Sequence, residues 1–301
     1  MLREEQHARG FGWVGAVARI AAWIGLSILF GVATGMAVAF VAGEVVAGAA
    51  GMAGGTLIAG AVLIRGVDGR SPAALGIALS SRTLPDLGIG LMIGAGGLAV
   101  AALLMLVTGS LAYATQDGTA AGWAGVVIAQ AGLFTLAAFA EEVAFRGYGF
   151  QVLARVAGAP AAIAVSSVLF ALAHGANPEI GAFALVNIFL AGILLAVAYL
   201  RTLSLWFATA LHMGWNWAMA TLFDLPVSGI AMFDTPLYQP RIDGAAWWSG
   251  GAFGPEGGMV GTIGFAAALL LTLRWRAVRR DPAIVQAAPL VLDRERSGND
   301  G

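Results

Sequence analysis

Cysteine is absent from the 301 residues, and so is lysine: all sixteen basic residues are Arg. The first absence excludes disulfides, thiolate nucleophiles, Cys-ligated zinc and iron–sulfur clusters. The second reads as a composition bias rather than as function. Charge of either sign is scarce, at 11% against roughly 25% in soluble domains. Hydrophobic residues make up 59% of the chain and the mean hydropathy is +0.84. A net charge of −1 leaves no concentrated basic surface for phosphates, so nucleic acid is not an expected partner. What remains is a polytopic membrane protein whose first partner is the lipid bilayer.

Apolar runs of about 20 residues, the length a helix needs to cross the hydrocarbon core, fall near 20–42, 45–64, 87–108, 122–145, 159–175, 180–200, 204–222 and 257–274. They predict an all-α fold of about eight transmembrane helices. The first run is too long for a signal-peptide core and is read as retained. Basic residues are held in cytoplasmic loops. Arg3, Arg9 and Arg19 precede the first run, Arg65, Arg70 and Arg82 separate the second from the third, Arg146 and Arg155 follow the fourth, Arg201 follows the sixth, and six arginines follow the last, leaving only Arg241 on the other side. Both termini are therefore expected in the cytoplasm, with a cytoplasmic segment at 1–19, a transmembrane domain at 20–275 and a polar, disordered tail at 276–301. Opposite loops carry acids such as Glu44, Asp117, Asp224, Asp234 and Glu256. Gly31–Gly35 and Gly51–Gly55 predict close helix packing. The long loop from Asp224 to Glu256, with Trp247 and Trp248, either lies on the membrane surface or covers a site, and both readings stay open.

Charge inside a span is costly enough to mark function. Three places qualify: Glu141, Glu142 and Arg146 in "FAEEVAFRGYGF", His174 in "FALAH", and His212 with Asn216 in "HMGWN". The other histidine, His7, sits in the polar N-terminal segment. Glu142 and Arg146 are four apart and pair on one helix face, while Glu141 is rotated about 100° away. His212 and Asn216 share the same spacing, as do Phe170 and His174. One carboxylate, two imidazoles and a carboxamide suffice to attack an amide with water, through a general base and neutral side chains that donate to an oxyanion. Ser166 or Ser167 as a nucleophile is the less favoured route. Taken one at a time, each polar group also has a structural reading as an ion pair, a helix cap or an interhelical hydrogen bond. Their joint presence carries the functional claim.

The order Glu-Glu-x-x-x-Arg, Phe-x-x-x-His, His-x-x-x-Asn resembles the CPBP family of intramembrane proteases, also called ABI, which includes the CAAX prenyl endopeptidases and bacterial proteins linked to bacteriocin processing or self-immunity. The resemblance covers about residues 70–275, with a core about 120–275, and is strongest over 141–216. It implies that Glu141 activates water with help from His174, that His212 and Asn216 stabilise the oxyanion, and that Glu142, Arg146 and Phe170 support the site. The family is described both as metalloproteases and as metal-independent glutamate proteases. A zinc ion would have to draw His174, His212 and Glu141 from three helices, with no His-Glu-x-x-His pair to pre-form the site. Metal-free catalysis is therefore favoured, with zinc as the alternative. The stretch "GGAFGPEGG" before the last run looks like one found in bacterial members, and no mechanism attaches to it.

The expectation is an inner-membrane, multi-pass endopeptidase that opens toward the cytoplasm and cleaves a membrane-embedded or lipidated peptide or protein. A leader peptide or a membrane-protein segment is favoured over a CAAX sequence. The alternatives are a proton-coupled transporter, disfavoured by the lack of an internal repeat, and an inactive immunity or scaffold protein. One depth does not close. Glu141 stands about 7 Å from Arg146 near the cytoplasmic side, whereas His174 lies about 22 Å along span five. Strong tilt, a span five that starts outside the hydrocarbon, or a span four that continues past Arg146 would reconcile them.

Overall fold

The computed structural model describes residues 12–231 and 235–297, with backbone only at 295–297. The first eleven residues with His7, Arg3 and Arg9, the loop residue Asp234, and the last four residues lie outside the described residues.

Each expected apolar run is helical: α1 Trp13–Ala39, α2 Glu44–Gly66, α3 Thr83–Val107, α4 Ala120–Arg146, α5 Tyr148–Ala157, α6 Ala159–Ala173, α7 Ala182–Thr202, α8 Leu205–Trp217 with a π-helical turn Ala218–Leu222, and α9 Met259–Arg274. Five stretches are long and apolar enough to cross a membrane: α1, α2, α3, the α4–α5 stretch and α7. The others are shorter because the sequence punctuates them. Helix α6 starts behind Gly158 and stops at His174, while α8 starts at Ser204, whose side chain caps the Phe207 N–H at 3.3 Å. The count of eight spans exceeds the five that length and composition support.

Helices α1 and α2 form a hairpin along the expected glycines. A Cβ on Gly55 would lie 2.4 Å from the Ser27 carbonyl oxygen, so only glycine admits this approach. A tighter crossing seats α8 on α3, where a Cβ on Gly94 would lie 2.0 Å from the carbonyl oxygen of Leu211. Backbone contact therefore fixes the helix that carries His212. The core around it gathers Phe170, Leu194, Leu211, Trp215 and Phe265 from α6, α7, α8 and α9.

Two expectations change. The fold is mostly helical but not purely so: β1 Leu111–Thr115 pairs antiparallel with β2 Tyr238–Ile242, with Leu111 opposite Ile242. Five-residue strands leave little trace beside 20-residue apolar runs. The tail is not disordered over 281–294. Asp281 caps α10 (Pro282–Gln286) and accepts from Ser80 Oγ at 2.6 Å, and Leu290 and Leu292 are buried. Asp293, at the start of α11 (Leu292–Ser297), is bridged to Arg70 at 2.6 Å and Arg155 at 3.0 Å. The arginines assigned to loops thus find their counter-charges in the tail itself.

The depth conflict closes through the continuation of the fourth span. After a break at Gly147 the chain runs on through α5 and turns at Gly158 into α6. Glu141 precedes the end of α5 by about 24 Å of helix, and His174 follows the start of α6 by about 22 Å.

Candidate active site

The last turn of α4 brings Glu141, Glu142 and Arg146 into the bundle. Glu142 and Arg146 are fully buried and joined at 3.0 Å, as their spacing implies. Arg146 also donates to the Gly192 carbonyl on α7 at 3.0 Å, and its guanidinium carbon sits 4.8 Å from the centre of the Phe170 ring. The pair therefore ties α4 to α6 and α7. The same Glu142 Oε1 lies 3.0 Å from His212 Nδ1, a link between helices that spacing along one helix does not reveal.

The two histidines are oriented alike. His174 Nδ1 lies 2.8 Å from the Phe170 carbonyl oxygen, which only accepts, so Nδ1 carries the proton. His212 Nδ1 is committed to the Glu142 carboxylate. Each Nε2 therefore faces inward, 3.9 Å (His174) and 3.8 Å (His212) from Glu141 Oε2. That Oε2 is buried and has no hydrogen-bond partner among the described residues. With Nδ1–H engaged, a neutral His212 presents a bare Nε2. From that nitrogen it donates only as an imidazolium, whose charge Glu142 offsets.

Asn216 lies one turn beyond His212, just before the π-helical turn, and its side chain makes no hydrogen bond among the described residues. A cavity of about 30 Å³, room for one or two waters, is bounded by Phe170, His174, Leu211, His212, Asn216 and Glu256. A larger apolar cavity of about 530 Å³ is bounded by Leu133, Phe134, Ala137, Pro226, Val227 and Ile230. Ala137 is one turn before Glu141 on the same face of α4. This cavity lies toward the β1–β2 end of the bundle, away from the arginines of the α5 end.

Ser166 bonds the Ile163 carbonyl and Ser167 is fully buried, so neither reaches the histidines. Sequence reasoning missed Glu256, which burial pushes above the ordinary carboxylate range against opposing hydrogen bonds from Ser228 and the nearby histidines. The only trace of it was an acid in a glycine-rich stretch.

As for zinc, a tetrahedral ion with bonds of about 2.1 Å needs donor atoms about 3.4 Å apart. The donors here stand 3.8 and 3.9 Å apart, and no trio of His, Cys, Asp or Glu among the described residues is arranged to hold a metal. The set as placed does not fit the ion.

Neither the curated proteins nor the solved structures give a match to the chain. Residues 123–218 match the family model described as type II CAAX prenyl endopeptidase Rce1-like, a family of peptide hydrolases. That segment carries all three motifs. Over this segment the chain, a multi-pass membrane protein, is similar to that family.

Proposed function

We propose that this protein is an intramembrane endopeptidase that hydrolyses a peptide bond in a membrane-embedded or lipidated substrate, in an eight-pass arrangement with both termini in the cytoplasm of a cell whose inner membrane holds it. The observation that carries the reading is the unpartnered, buried Oε2 of Glu141 facing two inward Nε2 atoms at 3.9 and 3.8 Å.

Glu141 takes a proton from water as the oxygen attacks the scissile carbonyl carbon, with His174 orienting that water. The oxyanion is held by the imidazolium of His212 and the carboxamide of Asn216. Glu141 then returns its proton to the departing amine as the C–N bond breaks, leaving a free acid and amine. Glu142, Arg146 and Phe170 hold the histidines. The apolar cavity beside Ala137 suits the apolar part of the substrate.

The test is cleavage of a quenched membrane-peptide library by purified protein in detergent, comparing wild type with Glu141→Gln, each with and without a strong chelator. Activity lost in the variant and kept with chelator is expected. Activity lost with chelator restores the zinc alternative. A wild type that cleaves nothing turns the reading toward transport or scaffolding.

A further inference from the structure

Glu256 is a carboxylate outside the three motifs, 3% exposed, on a loop of short turns between Gly250 and Gly258. Both of its oxygens are occupied. Oε1 accepts from Trp215 Nε1 at 3.0 Å, and Oε2 accepts from the backbone N–H and the hydroxyl of Ser228, both at 2.8 Å. A buried acid accepting three donors is committed to one geometry.

Those donors belong to elements that carry the candidate catalytic groups. Trp215 is next to Asn216 and three residues after His212, on one helix. The carbonyl of Ser228 accepts from Asn177 Nδ2 at 3.0 Å, and the backbone N–H of Asn177 donates to the His174 carbonyl at 3.0 Å. Glu256 is therefore the node between the segment that follows His174 and the helix that carries His212. Its own backbone is clamped from α7, where Asn187 Nδ2 donates to the Glu256 and Gly258 carbonyls, both at 2.8 Å, and Asn187 Oδ1 accepts from Thr262 at 2.7 Å. The two loop arms close on each other: the Gly229 N–H bonds the Phe253 carbonyl at 3.0 Å, and a Cβ on Gly254 would lie 2.1 Å from the Pro226 carbonyl oxygen.

We propose that Glu256 is a positioning residue for the hydrolysis proposed above: it straps segments 226–230 and 250–258 together over the water-sized cavity and holds the backbones behind His174 and His212 in register. The inference rests on that functional reading. Glutamine is a revealing replacement, because its NH2 meets either the Trp215 donor or the two Ser228 donors, and one contact becomes donor against donor.

The experiment uses the full chain in detergent. Because the protein has no cysteine, a single Val227→Cys reports loop opening through its maleimide labelling rate. Glu256→Gln is expected to lower kcat by about tenfold or more with KM within about twofold, the pattern of misplaced groups rather than lost binding. It is also expected to label faster at Val227→Cys. Ser228→Ala removes one donor and leaves the backbone bond, so it folds where Glu256→Gln fails and is expected to show the same split at smaller size. Wild-type kcat and wild-type labelling in the folded variants overturn the proposal. If the wild type cleaves nothing, the functional reading fails, and labelling alone decides the strap: unchanged rates overturn it, and faster rates uphold it.

Discussion

Glu142 and His212, seventy positions apart, meet at 3.0 Å through Oε1 and Nδ1, and the same oxygen holds Arg146. One carboxylate thus serves a buried cation and an imidazole together.

Because both members of the Glu142–Arg146 pair are fully buried, removing one strands the other's charge. Arg146→Met is expected to destabilise by about 3–5 kcal/mol. The double variant Glu142→Gln/Arg146→Met is expected to recover part of that loss and to remain inactive, since His212 has lost its counter-charge. Denaturant or thermal unfolding with a parallel cleavage assay checks it; a double variant that regains activity sinks the role given to Glu142.

Asn216 has no partner to lose. Asn216→Ala is expected to leave stability within about 0.5 kcal/mol while kcat falls by about 10²–10³, the cost of one oxyanion donor. Equal loss of stability and activity would make Asn216 a structural residue instead.

At the α3–α8 crossing the nearest obstacle to a Cβ on Gly94 is backbone, at 2.0 Å, so no rotamer change relieves it. Gly94→Ala is expected to cost about 1–3 kcal/mol and to lower kcat, because the helix that moves carries His212. Wild-type melting and turnover in this variant would contradict the contact.

Burial raises the Glu256 carboxyl above its ordinary 4.5, so its ionisation costs the folded state more than the unfolded one. That contribution is fully present below pH 4.5 and is lost as the pH rises through the raised folded value. The Tm advantage of wild type over Glu256→Gln is therefore expected to be largest near pH 4.5 and to shrink toward neutrality. An advantage that grows with pH would reverse the sign.

Residues four apart on one helix were legible from the chain, which is why Glu142 with Arg146 and His212 with Asn216 could be paired by spacing. The Glu142–His212 contact was not, because it depends on how α4 and α8 cross. Glu256 was hidden for a related reason: a loop of glycine turns has no period to reveal which side chain points inward. The tail misled because Ile284, Leu290 and Leu292 are scattered among charges, and the neighbouring Asp293 is held by Arg70 and Arg155 from distant parts of the chain.

The turn at Gly158 makes a measuring device of the two arms beside it. Sixteen residues climb one arm to Glu141 and fifteen climb the other to His174, so the carboxylate and the imidazole meet because two counts agree. A residue inserted between Gly147 and Gly158 would lift one arm by about 1.5 Å and swing it by about 100° against the other. The relative height of Glu141 and His174 is thus written in the length of a short helix.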